Sequence, residues 1–157
     1  MRLEYFQLID RVVDIDIAAR TIRCEATVPT VHTIFEGHFP GYPLMPGVLL
    51  IESMAQTSGY LVIALNKFER MAFLAAIKEA KMRTFVLPGQ KLVVTARQAH
   101  DGSGFARCDA SITCEGKPIC DATLTLRVLD FPNAEMAQQM RETCARVGLQ
   151  AGAPANG

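Results

Sequence analysis

The segment of residues 46 to 65 constrains the fold more than any other part of the chain. It is apolar on nearly every face and long enough to cross a bilayer as a helix. Glu52, Gln56 and three hydroxyl side chains would be costly in lipid, however. A helix that is apolar all round is instead typical of one enclosed by other protein. The segment therefore predicts a long central helix, with Pro46 as its first residue because a missing N–H costs nothing there.

Most of the remaining pattern is that of strands. Apolar and polar residues alternate with a period of two in residues 22–28, 106–114 and 120–128. A turn at residues 115–118 separates the last two, which predicts a long antiparallel hairpin. Weaker strand patterns cover residues 8–16, 73–86 and 92–99. One enclosed helix and a mostly antiparallel sheet of five to six strands indicate an α+β fold, with the sheet curved round the helix.

The length and composition fit one domain. The chain has 157 residues, of which half are hydrophobic and a fifth are charged. The strand patterns end near residue 131, so we predict a domain over residues 1–131. For residues 132–157 we predict a C-terminal extension with a short amphipathic helix at 133–146 and a disordered tail from Val147, because the tail is rich in small residues.

The charge balance limits the partners that the chain can attract through its overall field. Sixteen basic side chains balance sixteen acidic ones, which disfavours nucleic acid and an anionic membrane surface as partners. The amino terminus lacks the apolar run of a secretory signal, so a cytoplasmic location without membrane insertion is expected.

The five cysteines form an odd set without a C-x-x-C pair. We interpret them as reduced core residues in a reducing compartment, with a Cys114–Cys120 disulfide as the alternative. His32 and His100 have no further ligand type at metal-binding spacing, and there is no phosphate-binding glycine pattern. The sequence therefore predicts neither a metal site nor a cofactor.

Three candidate catalytic features lie between residues 38 and 56. His38, in a loop stiffened by prolines and glycines, exchanges a proton near neutral pH and suits a general base that acts beside a carbonyl. The free N–H groups at Gly47 and Val48, at the predicted helix start, would polarise a thioester carbonyl. Glu52 stands on an otherwise apolar helix, which would keep it protonated and able to donate to a leaving hydroxyl.

Each of these side chains also has an ordinary structural explanation. A loop histidine often serves as a structural hydrogen-bonding group, and a buried glutamate such as Glu52 often serves only to hydrogen-bond a neighbour, here Gln56 or nearby backbone groups. Phe39, Tyr42, Met54 and Tyr60 fit the lining of an acyl tunnel or a plain core equally well. Residue types and spacing alone leave these choices open.

A family resemblance bears on that choice. Residues 37–48, GHFPGYPLMPGV, and 51–56, IESMAQ, resemble the G-H-F-P-G-x-P-x-M-P-G-V…E-x-x-A-Q signature of the FabZ-type 3-hydroxyacyl-acyl-carrier-protein dehydratases. The likeness extends more weakly over about residues 5 to 130. It implies a hotdog fold, in which a long helix is wrapped by a curved sheet, and dimers that often assemble further into trimers of dimers.

The resemblance also implies roles for the candidate residues. His38 would act with Glu52 of the other protomer at a dimer-interface active site, and the Gly47 N–H would bind the thioester oxygen. A glutamate at position 52 resembles the branch that dehydrates without isomerising the double bond. Acyl chain length and assembly state stay open, because two segments depart from the family pattern: the one before Leu8, which lacks the usual H-x-Y-P-F-like run, and the tail from about residue 132.

The expected substrate is an acyl group carried by acyl carrier protein. Lys78, Lys81 and Arg83 form a local positive cluster that would suit this acidic partner, although an ordinary solvated strand face has the same pattern. Two other functions compete with dehydration: a hotdog thioesterase that uses Glu52 on water or on the acyl carbon, and a non-catalytic acyl-binding module.

Overall fold

The structure is a computed structural model that describes residues 1–150. One sheet contains six strands in the order β1-β2-β4-β5-β6-β3, and every pair of neighbours is antiparallel. The strands are β1 (Arg11–Asp16), β2 (Thr21–Thr27), β3 (Arg70–Met82), β4 (Lys91–Gly102), β5 (Phe105–Cys114) and β6 (Lys117–Asp130). The helices are α1 (Ile34–Gly37), α2 (Gly47–Leu65) and α3 (Ala134–Arg146). The predicted α+β class is confirmed.

Helix α2 lies against the sheet as the sequence predicts. Its length and apolar composition would allow a membrane span, but more than half of its apolar window is buried inside the protein, as in the core helix of many globular domains. The predicted start is one residue early: Pro46 has a ψ of 132°, outside the helical range. The Pro46 carbonyl nevertheless accepts from the Leu49 and Leu50 N–H groups, so Pro46 caps the helix from outside.

The hairpin predicted at the end of the sheet is formed by β5 and β6. Its register pairs Ala110 with Ala122 and Cys108 with Leu124, and all four side chains are buried. This is the inward face that the alternating pattern predicts. All five cysteines are free and buried, which confirms the prediction of reduced core thiols over a Cys114–Cys120 disulfide.

The two edges of the sheet differ in their exposure. Strand β3 ends at Met82, four residues before the predicted end, and bears the partly exposed apolar residues Leu74 (40%) and Ile77 (45%). Edge strand β1 begins at Arg11, three residues later than predicted. The buried residues Leu8 and Ile9 lie in the segment before it. The apolar edge is therefore β3.

The C-terminal helix packs onto the rest of the domain. Asn133 caps α3 by accepting from the Met136 N–H at 2.8 Å. Cys144, Val147 and Leu149 belong to the main hydrophobic core, and the Val147 carbonyl accepts from the Val12 N–H at 2.7 Å. The prediction of a disordered tail from Val147 is therefore wrong for residues 147–149, because the side chains of Val147 and Leu149 are buried against the rest of the domain, beside β1. Residues 151–157 lie outside the described residues, and the boundary at residue 131 stays a prediction.

Candidate active site

His38 is held by hydrogen bonds on both its backbone and its ring. Its N–H donates to the Ile34 carbonyl at 2.9 Å, and its own carbonyl accepts from the Leu44 N–H at 2.8 Å. The ring Nδ1 lies 2.9 Å from the Leu44 carbonyl oxygen. Because a carbonyl can only accept, the neutral imidazole carries its proton on Nδ1 and its lone pair on Nε2. His38 thus presents a basic nitrogen in a fixed orientation.

The start of α2 offers two backbone donors. The first N–H groups of the helix to find a carbonyl acceptor are those of Leu49 and Leu50, which both donate to Pro46. In the described part of the chain the N–H groups of Gly47 and Val48 have no backbone acceptor, as expected in a first helical turn. Val48 is 71% exposed, so this end of the helix is open to a ligand.

Glu52 is positioned by Gln56, one helical turn further along α2. The Gln56 Nε2 donates to the Glu52 carboxylate at 3.1 Å and to the Phe6 carbonyl at 2.9 Å, while its Oε1 accepts from the Leu8 N–H at 3.1 Å. Glu52 is half-buried in the single chain, less enclosed than the apolar helix predicts. The sequence pattern predicted Gln56 as one possible partner of Glu52, but not that Gln56 ties Glu52 to the amino-terminal segment.

A cavity of about 360 Å³ lies along the face of α2 that bears Glu52 and Gln56. Glu52, Gln56 and Tyr60 line one side of it, and residues of β3, of α3 and of the amino-terminal segment line the others. Of the four side chains considered for an acyl tunnel, Tyr60 lines this cavity, Met54 is fully buried core, and Phe39 and Tyr42 are exposed.

The single chain does not place all the candidate residues in one cavity. Glu52 lines the 360 Å³ cavity, whereas His38, Gly47 and Val48 do not. Within residues 1–150 no three His, Cys, Asp or Glu side chains cluster as a metal site would require. In one chain, the two candidate proton-transfer groups, His38 and Glu52, do not line a common cavity.

The predicted positive cluster lies on β3 and at the residue directly after it. Lys78, Lys81 and Arg83 are all exposed, and Arg83 forms an ion pair with Asp121. Met82, between Lys81 and Arg83, lies 3.7 Å from the position that a Cβ on Gly47 would occupy. Lys81 and Arg83 are therefore the sequence neighbours of a residue that lies against the end of the helix where the free N–H groups are.

Comparison with known proteins gives consistent results. The model of the FabA-like domain matches residues 2–123. The 3-hydroxyacyl-[acyl-carrier-protein] dehydratase FabZ of Lactobacillus helveticus is 42% identical over 113 residues, covering 70% of this chain and 75% of that protein. The protein of the same name from Polynucleobacter necessarius is 36% identical over 124 residues, covering 78% and 83%.

Solved structures with much lower identity share the fold. A dehydratase heterocomplex from Xenorhabdus doucetiae has a TM-score of 0.63 at 17% identity, covering 86% of this chain and 89% of that one. A putative thioesterase from Ralstonia eutropha has a TM-score of 0.64 at 14% identity, covering 81% and 90%. Because dehydratases and thioesterases share this hotdog fold, the fold alone does not select the reaction. The sequence relatives do make that selection, and the chain belongs to the FabZ-type dehydratases of the FabA-like family.

Proposed function

We propose that the protein removes water from (3R)-3-hydroxyacyl thioesters on acyl carrier protein, giving trans-2-enoyl thioesters for fatty acid or lipid biosynthesis. The observation that carries the proposal is the His38 Nδ1 bond to the Leu44 carbonyl, because it leaves Nε2 free to accept a proton. Family membership supports the same reaction.

The residues divide the reaction between them. Nε2 of His38 removes a proton from C2, and the negative charge that develops on the thioester oxygen is stabilised by the N–H groups of Gly47 and Val48. Glu52, as the general acid, gives a proton to the C3 hydroxyl, which leaves as water while the C2–C3 double bond forms. One proton is taken up and one is given, so no redox partner is needed.

We further propose that His38 and Glu52 meet between two protomers. Two observations support a homodimer: the two residues do not share a cavity in one chain, and edge strand β3 exposes Leu74 and Ile77. An exposed apolar edge favours pairing with another strand. A trimer of dimers is the larger assembly that the family resemblance implies.

The partner that delivers the substrate is proposed to be acyl carrier protein, docked on Lys78, Lys81 and Arg83. Their position beside Met82 and the start of α2 supports this, because the thioester must reach the N–H groups there. An acidic carrier surface and a phosphate-bearing arm would both be attracted by this cluster. A cytoplasmic location is part of the same proposal.

The test follows formation of the enoyl thioester by its absorbance with purified protein and a 3-hydroxyacyl-carrier substrate. We expect turnover by the wild type and a loss of at least ~10²-fold in kcat for His38→Ala and for Glu52→Gln. His100→Ala and Glu69→Gln, at exposed positions outside the site, serve as matched controls and should retain activity. Release of free thiol would establish the thioesterase alternative instead, and tight binding without turnover the acyl-binding module.

Mixing the two inactive variants tests the shared site. If each site combines His38 of one protomer with Glu52 of the other, a mixed dimer has one intact site and one doubly altered site. Random exchange makes about half the dimers mixed, so about a quarter of the wild-type activity should return. If both residues came from the same chain, no intact site would form and no activity would return.

A further inference from the structure

The far end of the cavity along α2 differs in chemistry from its middle. Measured from Glu52, Gln56 lies one turn along the helix and Tyr60 two turns, which places the Tyr60 Cα ~12 Å further along the helix axis than the Glu52 Cα. The lining of the cavity is mostly apolar and includes Met71, Leu74 and Leu126. An acyl chain that has its reacting carbons near Glu52 can therefore extend along α2 to Tyr60.

Helix α3 forms the wall at this far end and contributes one apolar and two polar side chains to it. Met140, Thr143 and Arg146 of α3 line the cavity, and they lie beyond residues 2–123, the part matched by the family model. The guanidinium of Arg146 donates to the Ile9 carbonyl at 3.4 Å and lies close enough to the Tyr60 hydroxyl to lower its pKa. This end of the cavity therefore carries a positive charge.

Arg146 has no acidic partner within residues 1–150, where no carboxylate lies within 4 Å of it. It is exposed to solvent, so the free protein tolerates the charge. Tyr60 is only 5% exposed, and burial raises its pKa to about 12, with a smaller opposing effect from the Arg146 charge. Tyr60 therefore stays neutral and able to donate, and the far end holds a guanidinium, a phenol and the Thr143 hydroxyl.

We propose that this end of the cavity binds an acceptor group at the distal end of the acyl chain, and that the preferred substrates are 3-hydroxyacyl thioesters ending in a carboxylate. A planar guanidinium with a neighbouring hydroxyl donor is suited to a carboxylate. A chain ending in a methyl group would exclude water from the same donors without replacing its hydrogen bonds, which disfavours it. The inference rests on the proposed dehydration and names the substrate class for it.

The test compares two 3-hydroxyacyl thioesters of equal length, one ending in a methyl group and one in a carboxylate. For the wild type, kcat/KM should be about ten- to a hundredfold higher with the carboxylate, the range for a charge-assisted hydrogen bond. Arg146→Gln should remove this preference by weakening only the carboxylate substrate. Arg146→Lys should retain part of it, because the charge remains while the planar fork is lost.

Arg141→Gln, an exposed arginine on the same helix, is the matched control and should keep the wild-type ratio. Thermal unfolding of each variant checks that α3 remains folded. The proposal is overturned if the wild type prefers the methyl-ended chain, or if Arg146→Gln changes kcat/KM equally for both substrates. In that case α3 only lines the cavity and does not select the substrate. Failure to turn over either substrate would instead count against the dehydration itself.

Discussion

Helix α2 bears polar side chains on two faces that have different consequences. On the cavity face, Glu52, Gln56 and Tyr60 reach groups of the amino-terminal segment and of α3. On the opposite face, Thr57 and Ser58 are fully buried beside Cys24 of β2 and Cys108 of β5, and neither hydroxyl finds an oxygen or nitrogen partner among the described residues. A polar residue on a buried helix therefore indicates a site only where other elements leave space in front of it.

Changes on the face of α2 that packs against the sheet are expected to lower the free energy of unfolding without affecting catalysis. Leu61, on α2, is fully buried in the main core. Leu61→Ala should lower the free energy of unfolding by ~2–5 kcal/mol through lost burial and a residual cavity, while kcat per folded molecule stays close to the wild type. Urea denaturation measures the first quantity and the enoyl assay the second. Val31→Ala, at a position 88% exposed, is the control, and a loss for Leu61→Ala no larger than for this control would contradict the assignment.

A change on the cavity face of α2 should lower both the free energy of unfolding and kcat. Gln56→Leu would leave the Leu8 N–H and the Phe6 carbonyl without their partner and would release Glu52. We expect the free energy of unfolding to fall by ~1–3 kcal/mol, the usual cost of leaving a buried polar group such as the Leu8 N–H unpaired, with a drop in kcat. Gln138→Leu, on exposed α3 surface, controls for the change in polarity. An unchanged kcat would show that Glu52 does not need Gln56 for its position.

The smallest effect is expected from the unpaired hydroxyl at Thr57. Thr57→Val replaces it with a methyl group of similar shape, which removes the cost of burying a polar group with no oxygen or nitrogen partner. The free energy of unfolding should rise by ~1 kcal/mol, with no change in kcat. Thr57→Ser, which keeps the hydroxyl and loses the methyl, should shift the midpoint of denaturation the other way. A destabilised Thr57→Val would mean that the hydroxyl makes a bond after all.

Much of this arrangement could be predicted from local sequence. The strict alternation in β5 and β6 indicated which side chains are buried, because a strand's side chains must point to opposite faces. The prolines and glycines around His38 predicted a fixed loop, and Pro46 the approximate start of α2. The bond from His38 to the Leu44 carbonyl could not be predicted, since it depends on how the loop turns back on itself.

The features that local sequence did not predict depend on contacts between residues that are far apart in the chain. The segment after α3 is rich in small residues and has the composition of a disordered tail, yet Val147 and Leu149 are buried. Nothing in their local pattern identifies the surface beside β1 that receives them, and burial requires such a surface. The same packing brings Arg146 to the cavity, so its position could not be read from α3 alone.

The sequence by itself determined the elements, the inward faces of the strands and the family signature from His38 to Gln56, because helix and strand periods and turn residues act over short distances. Only the tertiary structure decided which face of α2 opens onto a cavity and which presses on the sheet. It also decided that α3 closes the far end of that cavity. These features arise where β3, α3 and the amino-terminal segment meet over α2, and such a meeting depends on packing between distant parts of the chain.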